Sequence, residues 1–410
     1  MSISKGLVLL LTSQALALPR EVLQAQEAPG GLIHLPLAPV TPVTDEGAKS
    51  VARRQIFSGV DQYQYTTDAA MGVVVEIGSP PQKVIVEPDT GSRDLWVLDL
   101  QPGQKREEPA STFFDRSGSS SLKALGNTRM VSFASERFET DLYSDNVSFG
   151  GQSLGDVTVG LADLSKPNTK LARHTGVLGL APPDLLSDPD AAKGSLLQGM
   201  LDQKSIKSKA FGLGLRKRGQ GGLTFGGYDA SKFSGRLEKL EIQDNGRGRY
   251  AFNLKSVSFK SSKAQDPVEL YTKTETGRPL RMGTDSGSVA VYISKGTAAA
   301  QEFVAKTGAV IEDNKYVFGC DVVDSGASLE FQISDATVVS MPLADIVLSR
   351  SEDGKTCTMR MAAENRMPDP VWVGQHFFRR AYVVHDYDNG FIRDLWYKGS
   401  ITTWIIIRAP

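Results

Sequence analysis

The sequence predicts a mostly β fold built from two related lobes. Asp-Thr-Gly-Ser at 89–92 places a carboxylate at a tight turn, and Asp-Ser-Gly-Ser at 285–288 repeats this pattern in the second half. Their surroundings repeat as well, because Val-Leu-Gly at 177–179 and Trp-Val-Gly at 372–374 follow the two aspartates at nearly the same distance. Two related halves, each offering one aspartate, explain both observations.

The strand prediction rests on short apolar runs that are separated by turn residues. The chain has 40 glycines among 410 residues, and the Val/Ile/Phe-rich runs at 73–77, 83–86 and 130–133 are typical of strands. Helical patterns are few, and the best candidate lies between Gly296 and Gly308. The class is therefore mostly β.

The N-terminal segment is typical of a secretory leader followed by a propeptide. Residues 1–17 carry a short apolar run and end in the small-x-small pattern Ala-Leu-Ala, so we assign them to a signal peptide. Residues 18–54 are rich in Pro, Ala and Gln and end in Arg53-Arg54, and periodic apolar patterning begins only after that pair. This predicts a propeptide cut after Arg54, and an N-terminal arm that stays attached is the alternative.

The remaining chain, residues 55–410, is longer than one hydrophobic core usually serves, which predicts two lobes. We assign residues 55–239 to an N-terminal lobe that carries the first aspartate turn. Residues 240–410 form the predicted C-terminal lobe, which carries the second.

Charge and hydropathy limit the partners. The net charge is −1 and the isoelectric point is about 6.5, which disfavours nucleic acid and anionic membranes as partners. No apolar run reaches the roughly 20 residues that a membrane span needs. We expect a soluble, secreted, extracellular monomer, with a vacuolar location as the alternative, and the Asn-Val-Ser sequon at 146–148 fits secretion. No metal motif is present, so no metal or cofactor is expected.

Cys320 and Cys357 are the two cysteines of the chain. In a secreted protein an isolated pair is expected to form one disulfide, which stabilises by about 3–4 kcal/mol in the chain-entropy model. Two free structural thiols are the alternative.

The two aspartates suggest acid–base chemistry. Two carboxyls a few ångströms apart cannot both ionise cheaply, so they share one proton and supply a base and an acid together. Gly91 and Gly287 let the neighbouring backbone come close to them. Four hydroxyl residues are expected to hold the carboxylates in place with their side chains and turn N–H groups: Thr90, Ser92, Ser286 and Ser288.

At residues 65–395 the chain resembles the pepsin-like aspartic peptidases. The run 77–82, Ile-Gly-Ser-Pro-Pro-Gln, followed by Asp-Thr-Gly-Ser-Arg-Asp-Leu-Trp-Val at 89–97, is a specific match to that family's first active-site block. Later blocks fall in the family's order at 176–181, 226–229 and 373–386. The resemblance implies a bilobal β fold with an interlobe cleft, Asp89 and Asp285 as catalytic residues, and a zymogen. It also implies peptide or unfolded protein substrates cut between large hydrophobic side chains.

Asp324, in Val-Val-Asp-Ser-Gly-Ala at 322–327, competes with Asp285 for the second catalytic position. We choose Asp285 because it keeps the spacing of the repeat and precedes an apolar run and a predicted helix. Asp324 lies four residues after Cys320 and has Ala327 where a hydroxyl is wanted. It is expected to occupy a surface turn.

Several residues depart from the family pattern. Glu87 and Pro88 precede the first aspartate, where apolar residues are usual, and Gly283-Thr284 replaces the usual apolar approach to the second. Gln375 stands where an aspartate usually follows glycine. These departures leave open an alternative hypothesis, a catalytically weak or inactive pepsin-fold protein that acts as a secreted binding module. An active aspartic endopeptidase working at acidic pH is preferred, because both aspartates and their glycines are intact.

The resemblance also assigns Phe133, Ser135 and Trp96 to the flap and cleft. Phe133 aligns with the family's flap tyrosine, which closes over the substrate, and phenylalanine lacks the hydroxyl. This predicts a slow peptidase.

Overall fold

The computed structural model describes residues 26–28, 32–35, 37–39, 71–106, 110–132, 137–149, 152–163, 165, 175–182, 196–216, 221–233, 237–243, 250–261, 266–272, 274, 277–293, 297–363, 369–386 and 402–406. The predicted signal peptide and the Arg53-Arg54 pair lie outside these residues. Strands dominate the described part, which confirms the mostly β class.

The strands of the first half, in chain order, are β1 (Gln26–Ala28), β2 (Leu32–Leu35), β3 (Leu37–Pro39), β4 (Met71–Ile77), β5 (Gln82–Asp89), β6 (Leu95–Asp99), β7 (Phe113–Phe114), β8 (Lys123–Ser132), β9 (Arg137–Phe149), β10 (Gln152–Ala162), β11 (Gly176–Gly179), β12 (Ala210–Gly214), β13 (Gly222–Phe225) and β14 (Leu237–Glu241). Those of the second half are β15 (Ala251–Leu254), β16 (Ser256–Lys260), β17 (Val268–Tyr271), β18 (Leu280–Thr284), β19 (Val310–Glu312), β20 (Lys315–Gly319), β21 (Ser328–Gln332), β22 (Val338–Pro342), β23 (Val347–Arg350), β24 (Thr356–Ala362), β25 (Val371–Val373), β26 (Tyr382–Asp386) and β27 (Thr402–Ile406).

Helices are short in the described residues. The α-helices are α1 (Leu196–Asp202), α2 (Thr297–Thr307), α3 (Cys320–Asp324) and α4 (Gln375–Phe378), and 3-10 turns occupy Arg116–Gly118, Ala230–Lys232 and Leu343–Ile346. Helix α2 lies where the sequence predicts it. No helix of the described residues is long and apolar enough to cross a membrane.

The first aspartate turn follows the central strand of a large sheet whose order is β3-β4-β5-β11-β6-β10-β9-β8, with β7 paired to β6. Alternating valines of β4 and β5 are fully buried, which fixes the register of this pair. Strand β5 ends at Asp89 and runs parallel to β11, where Gly179 is opposite Asp89. The sheet therefore delivers Asp89 at the end of a buried strand.

The second aspartate turn repeats this arrangement. Strand β18 ends at Thr284, directly before Asp285, and pairs in parallel with β25, which ends one residue before Gly374. The backbone N–H of Asp285 donates to the carbonyl of Val373 over 3.0 Å. In both halves a strand ends at an aspartate turn beside a parallel strand that leads to a glycine.

A third sheet joins strands from both halves of the chain in the order β1-β2-β13-β12-β26-β27-β14. Strand β12 pairs with β26, which brings Phe211 opposite His385. The other second-half sheets have the orders β15-β18-β25, β17-β16-β21-β22 and β19-β20-β24-β23. The division at residue 239 remains a prediction.

The N-terminal strands overturn one expectation from the sequence. Patterning was expected to begin only after Arg54, yet Ile33, Leu35 and Leu37 are buried in β2 and β3. Strand β2 pairs with β13, and β3 pairs with β4. The run is short and surrounded by prolines, so it has the composition of a loop while its alternate residues fill the core. The propeptide assignment itself remains a prediction.

The side chain of His34 connects β2 to β13. Its Nδ1 atom lies 2.9 Å from the Thr224 hydroxyl, and its ring occupies the space that a side chain at Gly222 would need. Burial and the nearby charge of Lys232 lower the pKa of His34, although Asp229 opposes this shift. The docked strand therefore favours the neutral imidazole.

The disulfide prediction is confirmed. Cys320 and Cys357 are bonded, with their Cα atoms 5.1 Å apart, and both are buried. The bond joins the first residue of α3 to β24 within the second half.

Candidate active site

Asp89 is held by its own turn. It is only 2% exposed, and its Oδ1 atom accepts the N–H of Gly91 over 2.7 Å. The Ser92 hydroxyl donates to Oδ2, also over 2.7 Å. Both carboxylate oxygens therefore have a donor from the next three residues.

Asp285 lies directly against the first turn. Its Oδ1 atom accepts the N–H of Gly287 over 3.0 Å, and the side chain is half-buried. A Cβ atom added to Gly91 would lie 2.6 Å from the Asp285 carboxyl carbon. A Cβ atom added to Gly287 would lie 2.4 Å from that of Asp89. Each carboxyl thus occupies the space that a side chain on the opposite glycine would fill, so both glycines are needed for the carboxyls to meet.

Thr90 and Ser286 bind the two turns to each other. The N–H of Thr90 donates to the Ser286 hydroxyl, and the N–H of Ser286 donates to the Thr90 hydroxyl, each over 2.9 Å. The Ser286 hydroxyl in turn donates to the carbonyl of Pro88 over 2.7 Å. These hydroxyls therefore lock the two turns together, whereas the sequence suggested that they hold the carboxylates.

The two serines at the ends of the turns differ. Ser92 donates to Asp89, while the Ser288 hydroxyl accepts the N–H of Ala290 over 3.2 Å. The backbone N–H of Ser288 donates to the Asp285 carbonyl over 3.1 Å and so closes the second turn. The repeat is symmetric in sequence but not in its hydroxyl contacts.

The order of these elements along the chain agrees with that of a known family. A family model described as eukaryotic aspartyl protease matches residues 71–393. The chain belongs to this family. The expected resemblance, the pepsin-like fold and the class of hydrolases acting on peptide bonds are thereby confirmed.

Named relatives support the same assignment for this aspartyl protease. It is 26% identical over 330 residues to Candidapepsin-2 of Candida parapsilosis, covering 78% of this chain and 73% of that protein. It is 28% identical over 335 residues to the Acid protease of Saccharomycopsis fibuligera, covering 77% of each chain. It is 28% identical over 332 residues to Cathepsin E of Rattus norvegicus, again covering 77% of each.

Two departures from the family pattern contact each other in this aspartyl protease. The side-chain amide of Gln375 donates to the Glu87 carboxyl, and the exposed fractions are 1% and 2%. Pro88 lies two residues beyond Val86, the last β5 residue that pairs with β4. The missing proline N–H therefore falls outside the β4–β5 ladder. The Pro88 carbonyl accepts the hydrogen bond from the Ser286 hydroxyl.

Another departure, Gly283, is matched in size by a large residue on the neighbouring strand. Gly283 is opposite Trp372 in the parallel register of β18 and β25. A Cβ atom added to Gly283 would lie 2.3 Å from the Trp372 ring. Glycine therefore makes room for a tryptophan beside the second aspartate turn.

The remaining predicted site residues lie away from the two turns or outside the described residues. Trp96 is buried and makes an edge contact with Phe138, with ring centres 5.0 Å apart. Phe133 and Ser135 lie outside the described residues, so the flap assignment stays a prediction. Asp324 is exposed at the end of α3, where both its oxygens accept from the Arg350 guanidinium.

Two histidines of the second half, His376 and His385, are buried, with 2% and 0% of their surfaces exposed. Burial, together with Arg379 and Arg360, lowers the pKa of His376 to about 3. Burial alone lowers the pKa of His385 to about 3, and its ring stacks on Phe211 at 4.4 Å. The apolar run directly before position 385, Val383 and Val384, is the signal that could have indicated a core position.

Proposed function

We propose that Asp89 and Asp285 form the catalytic dyad of an aspartic endopeptidase that works at acidic pH. The contact between each carboxyl and the glycine of the opposite turn carries this proposal. Because the two carboxyls share one environment, a single proton between them costs less than two negative charges.

The dyad would act on a water molecule. The ionised carboxyl takes a proton from the water, which attacks the peptide carbon, while the protonated carboxyl donates to the carbonyl oxygen. Collapse of the tetrahedral intermediate returns a proton to the leaving amine. Water itself is the nucleophile, so no covalent enzyme intermediate forms. The Thr90–Ser286 lock keeps both carboxyls in place during these transfers.

The substrates of this dyad are peptides and unfolded proteins. An extended chain would bind between the halves through main-chain hydrogen bonds, with large hydrophobic side chains flanking the cut. The relatives named pepsins and acid protease support this class. We also propose a secreted zymogen, with removal of residues 1–17 and then 18–54 yielding a soluble, extracellular monomer that uses no cofactor.

The test is proteolysis of an unfolded protein by the processed chain from about pH 3 to 7, for the parent, Asp89→Asn and Asp324→Asn. Activity should be highest at acidic pH, vanish in Asp89→Asn and persist in Asp324→Asn. Unchanged activity in Asp89→Asn would refute the dyad. Loss of activity in Asp324→Asn, in a folded protein, would show that the second aspartate is misassigned. A folded parent that binds peptides without cutting them would instead support the binding module.

A further inference from the structure

Glu87 lies beneath the catalytic turn on the same strand. It is two residues before Asp89 in β5, and side chains two positions apart leave a strand on the same face. The Glu87 side chain is buried, with 2% of its surface exposed. A polar group in such a place needs a hydrogen-bond partner, because burying it without one is costly.

Gln375 is fixed to the second catalytic turn. Its backbone N–H donates to the carbonyl of Ser288 over 2.8 Å, and the N–H of Ser288 donates to Asp285. A Cβ atom at Gly374 would lie 1.9 Å from the Ser288 carbonyl oxygen, so glycine is required for this close approach. Gln375 therefore moves with the turn that carries Asp285.

The bond between Gln375 and Glu87 links the supports of the two aspartates. It runs from the start of α4 to β5 and is separate from the Thr90–Ser286 lock. We propose that Glu87 and Gln375 are positioning residues that hold Asp89 and Asp285 at the separation the reaction needs. This inference rests on the proposed dyad.

The chemistry of the pair suits this role. The glutamine amide donates but cannot gain or lose a proton in the working pH range, so this donor is present at every pH of the assay. An aspartate at position 375 would instead place two acids side by side, and their repulsion would depend on pH. Glu87 and Gln375 are thus complementary, and changing one alone removes the hydrogen bond between them.

The test is the split between kcat and KM, with active sites counted by titration with a statine-type inhibitor. Gln375→Leu removes the donor, and Gln375→Asn keeps a polar group too short to reach Glu87. Loss of the hydrogen bond to Glu87 should lower kcat per titrated site by about tenfold or more, with KM within about twofold. If Gln375→Leu fails to fold, Gln375→Asn provides the same comparison.

The transposed double variant, Glu87→Gln with Gln375→Glu, restores one amide and one carboxyl and should recover most of kcat. Glu76→Gln is the matched control, because Glu76 accepts from the Ser148 hydroxyl on the neighbouring strand and should leave kcat unchanged. An unchanged kcat in both Gln375 variants, or a loss confined to KM, would overturn the positioning role. An inactive parent would instead refute the proposed function itself.

Discussion

Replacing His385 with phenylalanine should make this protease more resistant to acid. The His385 ring is fully buried, stacked on Phe211 and 4.2 Å from the centre of the Tyr250 ring. Phe378 stacks at 6.5 Å. These aromatic neighbours can accept another phenylalanine, and any packing cost is the same at every pH.

The size of the effect follows from the lowered pKa of His385, about 3 against an ordinary 6.5. The unfolded chain takes up a proton below pH 6.5, whereas the folded protein keeps the ring neutral. The contribution of the neutral His385 ring to the free energy of unfolding is therefore fully present above pH 6.5. It is lost as the pH falls from 6.5 to 3. At pH 4.5 the loss is about 3 kcal/mol, because each pH unit contributes about 1.4 kcal/mol.

His376 acts in the same direction, since its pKa is also lowered to about 3. The two rings together would remove about 5–6 kcal/mol at pH 4.5, a large share of the roughly 5–15 kcal/mol that stabilises a typical domain. The protease should consequently tolerate weak acid better than strong acid.

The assay is urea unfolding at pH 7.5 and pH 4.5, carried out in an Asp89→Asn background to prevent self-digestion. The gain of His385→Phe over its parent should be about 3 kcal/mol larger at pH 4.5 than at pH 7.5. Phe378→Leu is the matched control, and its effect should be the same at both pH values. A His385→Phe effect independent of pH would refute the argument, because it would mean that the folded protein protonates this ring.

Three further predictions follow from local contacts. Gly283→Val should clash with the Trp372 ring and lower the free energy of unfolding by about 1–3 kcal/mol, measured by thermal unfolding. Adding Trp372→Leu should relieve this clash. An unchanged Tm in Gly283→Val would contradict the close contact between the two residues. Replacing Cys320 and Cys357 together with serine should lower the free energy of urea unfolding by about 3–4 kcal/mol. A loss below about 1 kcal/mol would show that closing this loop adds little to stability. Because docking lowers the pKa of His34, acid should weaken the docking of β2. After cleavage, His34→Gln should reduce the pH dependence with which the proposed propeptide, residues 18–54, is released, as measured by gel filtration. A pH dependence equal to that of the parent would exclude this residue.

The two aspartate turns of the proposed dyad could be picked out from the sequence because each is a short local motif. Asp89 and Asp285 each sit in a short turn motif, and the repeat spacing distinguished Asp285 from Asp324. The disulfide followed from counting cysteines. In each case the signal lies in residue types and spacings that can be read along the chain.

The supporting contacts could not be predicted, because each joins residues that are far apart in one sequence. Glu87 and Gln375 are separated by 288 positions and looked like two independent departures that argue against activity. In the structure their side chains form a hydrogen bond with each other. Gly283 likewise seems a weak strand residue until Trp372 is placed opposite it.

The central claim is that Asp89 and Asp285 act as one unit, and a double-mutant comparison of kcat/KM tests it most directly. Asp89→Asn and Asp285→Asn should each lower kcat/KM by about 10²- to 10⁴-fold. The kcat/KM of the double variant should be no lower than that of the less active single variant. Active sites that still bind a statine-type inhibitor would show that the variants are folded. Losses that multiply in the double variant, or a single variant with full activity, would mean that the two aspartates do not share the reaction.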